Sequence, residues 1–493
     1  MKTVGDAGPG RLNALAGLLA GVLVLAALQM ATENFASQPY VGGYIYNYYF
    51  LALVDGTLSV PVQIAGMEGF YDSEGRAFLY QGLGPLITRA AAWPILDLTA
   101  WDLRAPTIWL FSSIGSSAFY LLALRMLDGH WPEDEGQERR LGLVLWVMIW
   151  VLAPSFVLAA NGSFFHEPVS FAFATMGVAL LCLWHLMQKD YAHGLWFVGI
   201  CVAGALAVHG RPHVAVGIYG VAVLAALIML WKHRARAVLP VGVGMLILLA
   251  GGLLYLQMNA LRFGSMSDTT GTVTGEGAVY GFIYWGWEEA DHPRFVSNDT
   301  HGRFNAGRIL PNLFFYGLAM SGEWATSFYR RLTVDLGHVR IEPPVLGFVF
   351  LWMPWCILSL SAFKCPRGSG GFLALSLAAA LPGALVMLAY TTITMRYRLE
   401  LWPVLFVPAV LALAGMLDQT RHDRKAVARL LFSLQVASLA ALVVGMLNMV
   451  AYMNVLNWDW GYALRSYENC ARYVTVHADL GAKKVPGICV IRD

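Results

Sequence analysis

The sequence is short of charge. Only 13% of its 493 residues are Asp, Glu, Lys or Arg, against roughly 25% in an average soluble domain. This shortage excludes an ordinary soluble enzyme. The formal net charge of +2 is too small to indicate a nucleic-acid partner or an acidic substrate, so the positions of the charges are more informative than their sum.

Cysteine motifs and internal repeats are also missing. The six cysteines form no CxxC pattern, and no HExxH pattern occurs, so neither signature of a zinc site is present. The absence of an internal repeat disfavours the inverted-repeat transporter folds.

Apolar residues are abundant instead. Hydrophobic residues make up 58% of the chain, and they form blocks of about 17 to 25 residues, the length that an α-helix needs to cross a bilayer. We therefore predict an all-α, polytopic membrane protein with about eleven spans. They fall near residues 12–31, 106–127, 141–160, 169–188, 193–209, 213–231, 237–258, 346–364, 371–390, 399–417 and 429–453.

Two segments allow a second interpretation. The first apolar block follows Lys2 and Arg11, a pattern also typical of a cleaved signal peptide; we interpret it as an uncleaved span. Residues 79–100 are interrupted by Arg89, Pro94 and Asp97, and we interpret them as an interfacial or re-entrant helix.

The basic residues define a topology. With residues 1–11 in the cytoplasm, every short loop on that side contains Lys or Arg, as the positive-inside rule requires. A transmembrane module then covers residues 12–258 and includes a first outer loop, 32–105. A second outer loop covers 259–345, a C-terminal transmembrane module 346–453, and an extracytoplasmic tail 454–493. Cys470 and Cys489 lie in that tail, where they form a disulfide or remain two unpaired thiols.

Under this topology, charged residues collect at the outer ends of the spans. They are His166, Glu167, Arg211, His213, Arg396, Arg398 and Glu400. Arginine near lipid is costly and normally has an anionic partner, and its fork of donors suits a phosphate or a carboxylate. Structural alternatives are a polar helix cap at His166 and Glu167, an Arg211–Glu167 pair, and a local Arg396–Glu400 bridge four residues apart.

The first outer loop mixes carboxylates with tyrosines. Asp55, Glu68 and Asp72 lie among aromatic residues that include Tyr80, a combination that suits a sugar and equally suits a membrane-surface loop. In the second outer loop, the glycine-rich stretch 264–281 is either a mobile lid or a plain connection.

Four motifs carry a resemblance. Asp72, Gly75, Tyr80, Gly84 and Pro85 form one, and Phe165-His166-Glu167, Arg211-Pro212 and Arg396-Tyr397-x-x-Glu400-x-x-Pro403 are the others. Together with the loop order, they resemble a poorly characterised bacterial branch of the GT-C superfamily of membrane glycosyltransferases. Many members carry two adjacent acidic residues in the first outer loop, and this sequence has no such pair there.

The resemblance implies an inverting transfer of a sugar from a polyprenyl-phosphate carrier. A first-loop carboxylate would deprotonate the acceptor hydroxyl, with Asp55 or Asp72 as the first candidates and Glu68 as a third. Arg211, Arg396 and Arg398 would bind the phosphate, while Tyr80, His213 and Glu400 would line the substrate site. His166 and Glu167 would orient the substrate or bind a divalent metal ion, which is the one cofactor that the resemblance implies.

Two other functions remain open at this stage: a transporter or flippase of a lipid-linked sugar, and a non-catalytic membrane subunit. Spans with few charged residues favour chemistry at the outer surface over transport by alternating access. The expected partners are the lipid-linked donor, a glycan, lipid or protein acceptor, and membrane lipids, with no nucleic acid. The expected location is a bacterial inner membrane with its active face in the periplasm.

Overall fold

The structure is a computed structural model that describes residues 14–35, 44–268, 277–284, 291, 293–320, 323–337, 340–342, 346–364, 366 and 368–465. Its helices are α1 (Ala14–Phe35), α2 (Ile45–Val54), α3 (Val62–Ala65), α4 (Leu86–Ala92), α5 (Arg104–Met126), α6 (Glu135–Trp150), α7 (Pro154–Ala159), α8 (His166–Gln188), α9 (Gly194–Ala207), α10 (Pro212–His233), α11 (Ala235–Phe263), α12 (Gly281–Tyr284), α13 (Pro293–His301), α14 (Ile309–Leu318), α15 (Glu323–Leu332), α16 (Phe348–Leu351), α17 (Met353–Leu360), α18 (Gly370–Leu388), α19 (Met395–Arg398), α20 (Trp402–Thr420) and α21 (Arg424–Arg465).

Six two-residue strands complete the described elements. They are β1 (Ser59–Val60), β2 (Phe70–Tyr71), β3 (Ala77–Phe78), β4 (Val279–Tyr280), β5 (Arg340–Ile341) and β6 (Thr392–Ile393). Strands this short contribute little core, so the fold is a helical one.

Eight helices of the described chain are long and apolar enough to cross a membrane: α1, α5, α8, α10, α11, α18, the α19–α20 segment and α21. The other three predicted spans coincide with shorter helices. Residues 141–160 divide into α6 and α7 just before Pro154, 193–209 contain the 14-residue α9, and 346–364 divide into α16 and α17. The total of eleven spans therefore stays a prediction. Residues 79–100 contain only the seven-residue α4.

The centre of the bundle is aromatic. Trp402 and Phe406 of α20 pack against Phe119 of α5 and Trp355 of α17, with ring centroids 4.8 to 5.5 Å apart. Elsewhere, small residues allow backbones to approach closely, as is common where helices pack within lipid. A Cβ at Gly217 of α10 would lie only 2.0 Å from the carbonyl oxygen of Ala379 on α18.

One end of the bundle joins loops that the sequence predicts to be cytoplasmic. His130 Nδ1 lies 2.7 Å from Asp418 Oδ1, and Arg421 Nε lies 3.2 Å from Glu133 Oε1. These pairs connect the turn after α5 to the C-terminal end of α20. The loops that the sequence predicts to be extracytoplasmic lie at the opposite end. The orientation of the molecule in a membrane stays a prediction.

At that opposite end the two outer loops interlock. Strand β4 of the second loop pairs with β2 of the first, in a four-stranded antiparallel sheet of order β1-β3-β2-β4. Strand β5 pairs in parallel with β6, just before α19. The pairings bring residues from both loops next to the outer ends of α8, α10 and α20.

Candidate functional site

Arg262, at the end of α11, fastens the first outer loop to the bundle. Its Nη1 donates to the carbonyl oxygens of Leu79 and Gln81, at 2.6 and 2.8 Å, and its Nη2 donates to Asn259 Oδ1 at 2.9 Å. The two carbonyl groups lie on either side of Tyr80 in the chain. Tyr80 is therefore held where the first loop meets the outer ends of the spans.

The structure separates the three candidate carboxylates of the first loop. Asp55 is exposed at the C-terminal end of α2. Asp72 accepts hydrogen bonds from the backbone N–H groups of Glu74 and Arg76 and pairs with Arg76 Nε at 2.7 Å. It is thus occupied in stabilising the turn between β2 and β3.

Glu68 lies in a different environment from the other two carboxylates. Its relative exposure is only 8%, and its charge acts on the neighbouring Tyr80. Burial raises the pKa of Tyr80 well above its usual range, and the field of Glu68 raises it further, while Arg396 and Arg211 oppose the shift. The charges of Glu68, Arg396 and Arg211 thus all act on the Tyr80 phenol.

Arg211 reaches the site from the N-cap position of α10. Its Nε lies 2.8 Å from Glu400 Oε1, and the second oxygen of Glu400 pairs with His213 Nε2. Glu400 thus joins two residues of α10 to the start of α20. The Arg211–Glu167 pair and the Arg396–Glu400 bridge considered from the sequence are replaced by this arrangement.

Arg396 approaches Arg211 from the other side of Tyr397. The guanidinium carbons of Arg211 and Arg396 lie 5.0 and 5.3 Å from the centroid of the Tyr397 ring. Arg396 also stacks on Phe165 at 4.2 Å and faces Glu342 of the second loop at 3.6 Å. Two cationic groups from separate helices therefore flank one aromatic ring, and each has one carboxylate partner.

Arg398 differs from both of these arginines. Residues two apart on a helix point in nearly opposite directions, so Arg398 faces Tyr316 of α14, 6.0 Å from its ring centroid, rather than Phe165. Only 2% of Arg398 is exposed, and its Nε and Nη1 find no hydrogen-bond acceptor among the described residues. A buried guanidinium without an acceptor for these groups is costly unless an anion binds there.

His166 and Glu167 are occupied by structural contacts. Glu167 forms a fully buried ion pair with Arg89 of α4. His166 lies between the Asn161 carbonyl oxygen, 2.8 Å from its Nδ1, and the Tyr452 hydroxyl, 3.1 Å from its Nε2. They do not fit a divalent metal ion, because their ligand atoms are already engaged, and within the described ranges no three His, Cys, Asp or Glu side chains are grouped to hold one.

Four residues of this region are not singled out by the sequence motifs. Arg89 and Arg262 fix the first loop, Glu342 pairs with Arg396, and Arg303 donates to Tyr390 across 3.3 Å. An arginine inside an apolar helix signals a function or a partner, and this rule applies to Arg262 at the end of a long span. Nothing comparable marks Glu342 in its loop. Cys470 and Cys489 lie outside the described residues.

The long apolar helices and the polar site at one end define an integral membrane protein of helical type. No model of a known protein family matches the sequence, and no curated protein matches it. The backbone is similar to the crystal structure of the Archaeoglobus fulgidus oligosaccharyltransferase in the apo form, with 13% sequence identity and a TM-score of 0.44. The similarity covers 96% of this chain and 60% of the archaeal chain. We therefore infer the function from the side chains of the site.

Proposed function

We propose that this chain is a GT-C-type membrane glycosyltransferase that moves a sugar from a polyprenyl-phosphate carrier to an acceptor at the outer face. The observation that carries the proposal is the arginine cluster formed by Arg211 and Arg396, which come from separate helices and flank the Tyr397 ring at 5.0 and 5.3 Å. These arginines come from the ends of two helices that the membrane would hold in place. The donor's lipid tail would lie in the bilayer beside them.

A phosphate fits the charge of this cluster. Glu400 lies 2.8 Å from Arg211, whereas Glu342 lies 3.6 Å from Arg396, so the carboxylate contact of Arg396 is the longer one and Arg396 gains most from an anion. Desolvating one unpaired ion costs several kcal/mol, and a bound phosphate would offset this through charge-assisted hydrogen bonds. A carrier phosphate that leaves with a further negative charge would be stabilised more strongly than the donor itself, as catalysis requires.

Glu68 is our candidate for the general base. In the proposed step the acceptor hydroxyl gives its proton to the Glu68 carboxylate, and the acceptor oxygen attacks the anomeric carbon of the sugar. The bond from that carbon to the phosphate oxygen breaks, and the polyprenyl phosphate departs with the electron pair toward the arginines. One displacement inverts the anomeric centre. Asp55 and Asp72 are less suitable because Asp55 is exposed and Asp72 is bound in its own turn.

The cavity beside Glu400 does not support the transporter alternative. That cavity lies between α8, α10, α18 and α20, is otherwise lined by apolar residues such as Phe173, Met176 and Leu399, and measures about 20 Å³. This is room for about one water molecule, not for a sugar. This cavity therefore does not support passage of a sugar between these helices.

The test is sugar transfer and donor binding by the purified full chain in proteoliposomes, with a panel of radiolabelled polyprenyl-phosphate sugars. We expect Glu68→Gln to abolish transfer and leave donor binding intact. Arg396→Met should weaken donor binding by at least tenfold, which corresponds to about 1.4 kcal/mol. Asp55→Asn is the matched control for the carboxylate, and Arg139→Met, an exposed arginine at the other end of the bundle, is the control for the guanidinium.

Each alternative predicts a different outcome. Loss of transfer in Asp55→Asn, with Glu68→Gln active, would mean that the base is misassigned. Donor binding without transfer by the unmodified chain would favour a transporter or a non-catalytic subunit. Unchanged donor binding by Arg396→Met would remove the main support for a phosphate at the arginine cluster.

A further inference from the structure

The second outer loop contains a pair of helices with an apolar surface that no described part of the chain covers. On α14, the exposed side consists of Leu310, Leu313, Phe314 and Leu318, and Leu310 is 75% exposed. On α15, Phe328 and Leu332 are exposed in the same way, one helical turn apart. The rings of Phe314 and Phe328 lie 5.9 Å apart, so the two helices present one continuous surface, which we call the α14–α15 apolar face.

The opposite sides of the two helices are anchored to the bundle. Asn312 donates to the carbonyl oxygens of Leu388 and Tyr390, at 2.6 and 3.1 Å, and thereby caps the end of α18. Tyr329 of α15 donates in turn to Asn312. Because α18 is long and apolar enough to span a membrane, its capped end marks the level at which α14 lies.

The surface continues into one that a membrane span presents to lipid. Ala384 and Leu388 of α18 belong to the buried cluster under α14, while Leu385 on the same turn is 43% exposed. The exposed side of α14 has no polar residue, and a ten-residue helix of about 15 Å is too short to cross a bilayer. Arg331 of α15 is exposed next to the apolar face, about 60° round the helix from Phe328, while Arg330 is exposed on the opposite side of the helix.

We infer that the α14–α15 hairpin docks into the outer leaflet of the membrane that holds the protein. Its apolar face would lie at the boundary between headgroups and acyl chains, and Arg331 would face the lipid phosphates. An amphipathic helix with basic residues beside its apolar side is typical of such interfacial binding. The hairpin also bears Tyr316, which contacts Arg398, so the membrane surface helps to position one wall of the site. This inference does not depend on the transferase proposal.

The test is the depth of nitroxide spin labels on the full chain in vesicles of phosphatidylcholine and phosphatidylglycerol. Labels replace Phe314, Leu318, Phe328 or Leu332, one at a time, in a chain whose reactive cysteines are changed to serine. The accessibility of each label is measured from its relaxation by two reagents. Oxygen concentrates in the bilayer, and a nickel chelate stays in water. Leu253 on the exposed side of α11 is the lipid control, and Ser327 on the other side of α15 is the water control.

We expect a several-fold higher ratio of oxygen to nickel accessibility at the four apolar positions than at Ser327, with values approaching that of Leu253. High nickel accessibility at these positions would place the hairpin in water and overturn the inference. Low accessibility to both reagents would mean that protein, such as a second copy of this chain, covers the face, and would also overturn it. Transfer activity is not measured, so its absence would not affect the result.

Discussion

The buried Arg89–Glu167 pair gives a direct test of how the first outer loop is held. Both side chains have zero exposure, and Arg89 also donates to Asn47 Oδ1 at 3.0 Å and to Thr107 Oγ1 at 2.7 Å. Arg89→Met leaves the Glu167 carboxylate buried without its countercharge. Removing one partner of a buried pair typically costs about 3 to 5 kcal/mol, and we expect that loss in the free energy of unfolding.

Removing both charges should cost less than removing one. In Arg89→Met with Glu167→Leu no unpaired charge remains, and the main residual penalty is the loss of the hydrogen bonds to Asn47 and Thr107. At roughly 0.5 to 1.5 kcal/mol each, that loss amounts to about 1 to 3 kcal/mol. The double variant should therefore be more stable than Arg89→Met or Glu167→Leu alone.

The assay is equilibrium unfolding by sodium dodecyl sulfate in mixed micelles, for the four members of this double-mutant cycle. Arg76→Met is the matched control, because Arg76 pairs with Asp72 at the surface with 56% of its side chain exposed, and exposed pairs contribute little. A double variant whose loss equals the sum of the two single losses would refute the reasoning, since the two charges would then not interact.

Two further changes test the packing of the fold. Arg262→Met should leave the carbonyl groups of Leu79 and Gln81 without their donor, and each lost bond should destabilise the fold by about 1 to 3 kcal/mol. Amide hydrogen exchange should then accelerate in residues 79–84. Unchanged exchange there would contradict the anchoring role. Gly217→Ala should force α10 and α18 apart and lower the free energy of unfolding by about 1 to 3 kcal/mol. The control is Gly220→Ala, whose added Cβ meets no atom within 4 Å and which should be neutral or slightly stabilising. Similar thermal unfolding of the two variants would show that the close contact does not matter.

Helix positions were the most predictable part of the fold. Blocks of apolar residues of membrane length are visible without tertiary information, and each of the eleven predicted spans overlaps at least one helix of the described chain. Breaks within the blocks were harder to predict. Residues 141–160 look continuous in composition, yet the chain leaves helical geometry before Pro154 because proline restricts the residue that precedes it.

The partners of the charged residues could not be predicted in the same way. Sequence spacing suggests local pairs, such as Arg396 with Glu400, but Glu400 pairs with Arg211, 189 positions away, and Arg396 with Glu342. Such pairings depend on how the helices are rotated and on where the loops cross, and neither is encoded in a local pattern. The roles of Asp55, Glu68 and Asp72 stay predictions, which the proposed carboxylate variants test.

Arg262 has a consequence for how a ligand is selected. By holding the carbonyl groups on both sides of Tyr80, it fixes this part of the first loop during folding, so its conformational entropy is lost before any ligand arrives. A preorganised wall adds no ordering cost to binding and adapts poorly to a different shape. Under the proposed transferase function, differences in acceptor choice among chains with this fold should therefore arise in the second outer loop, where Arg303 and Glu342 lie, and the first loop should change little.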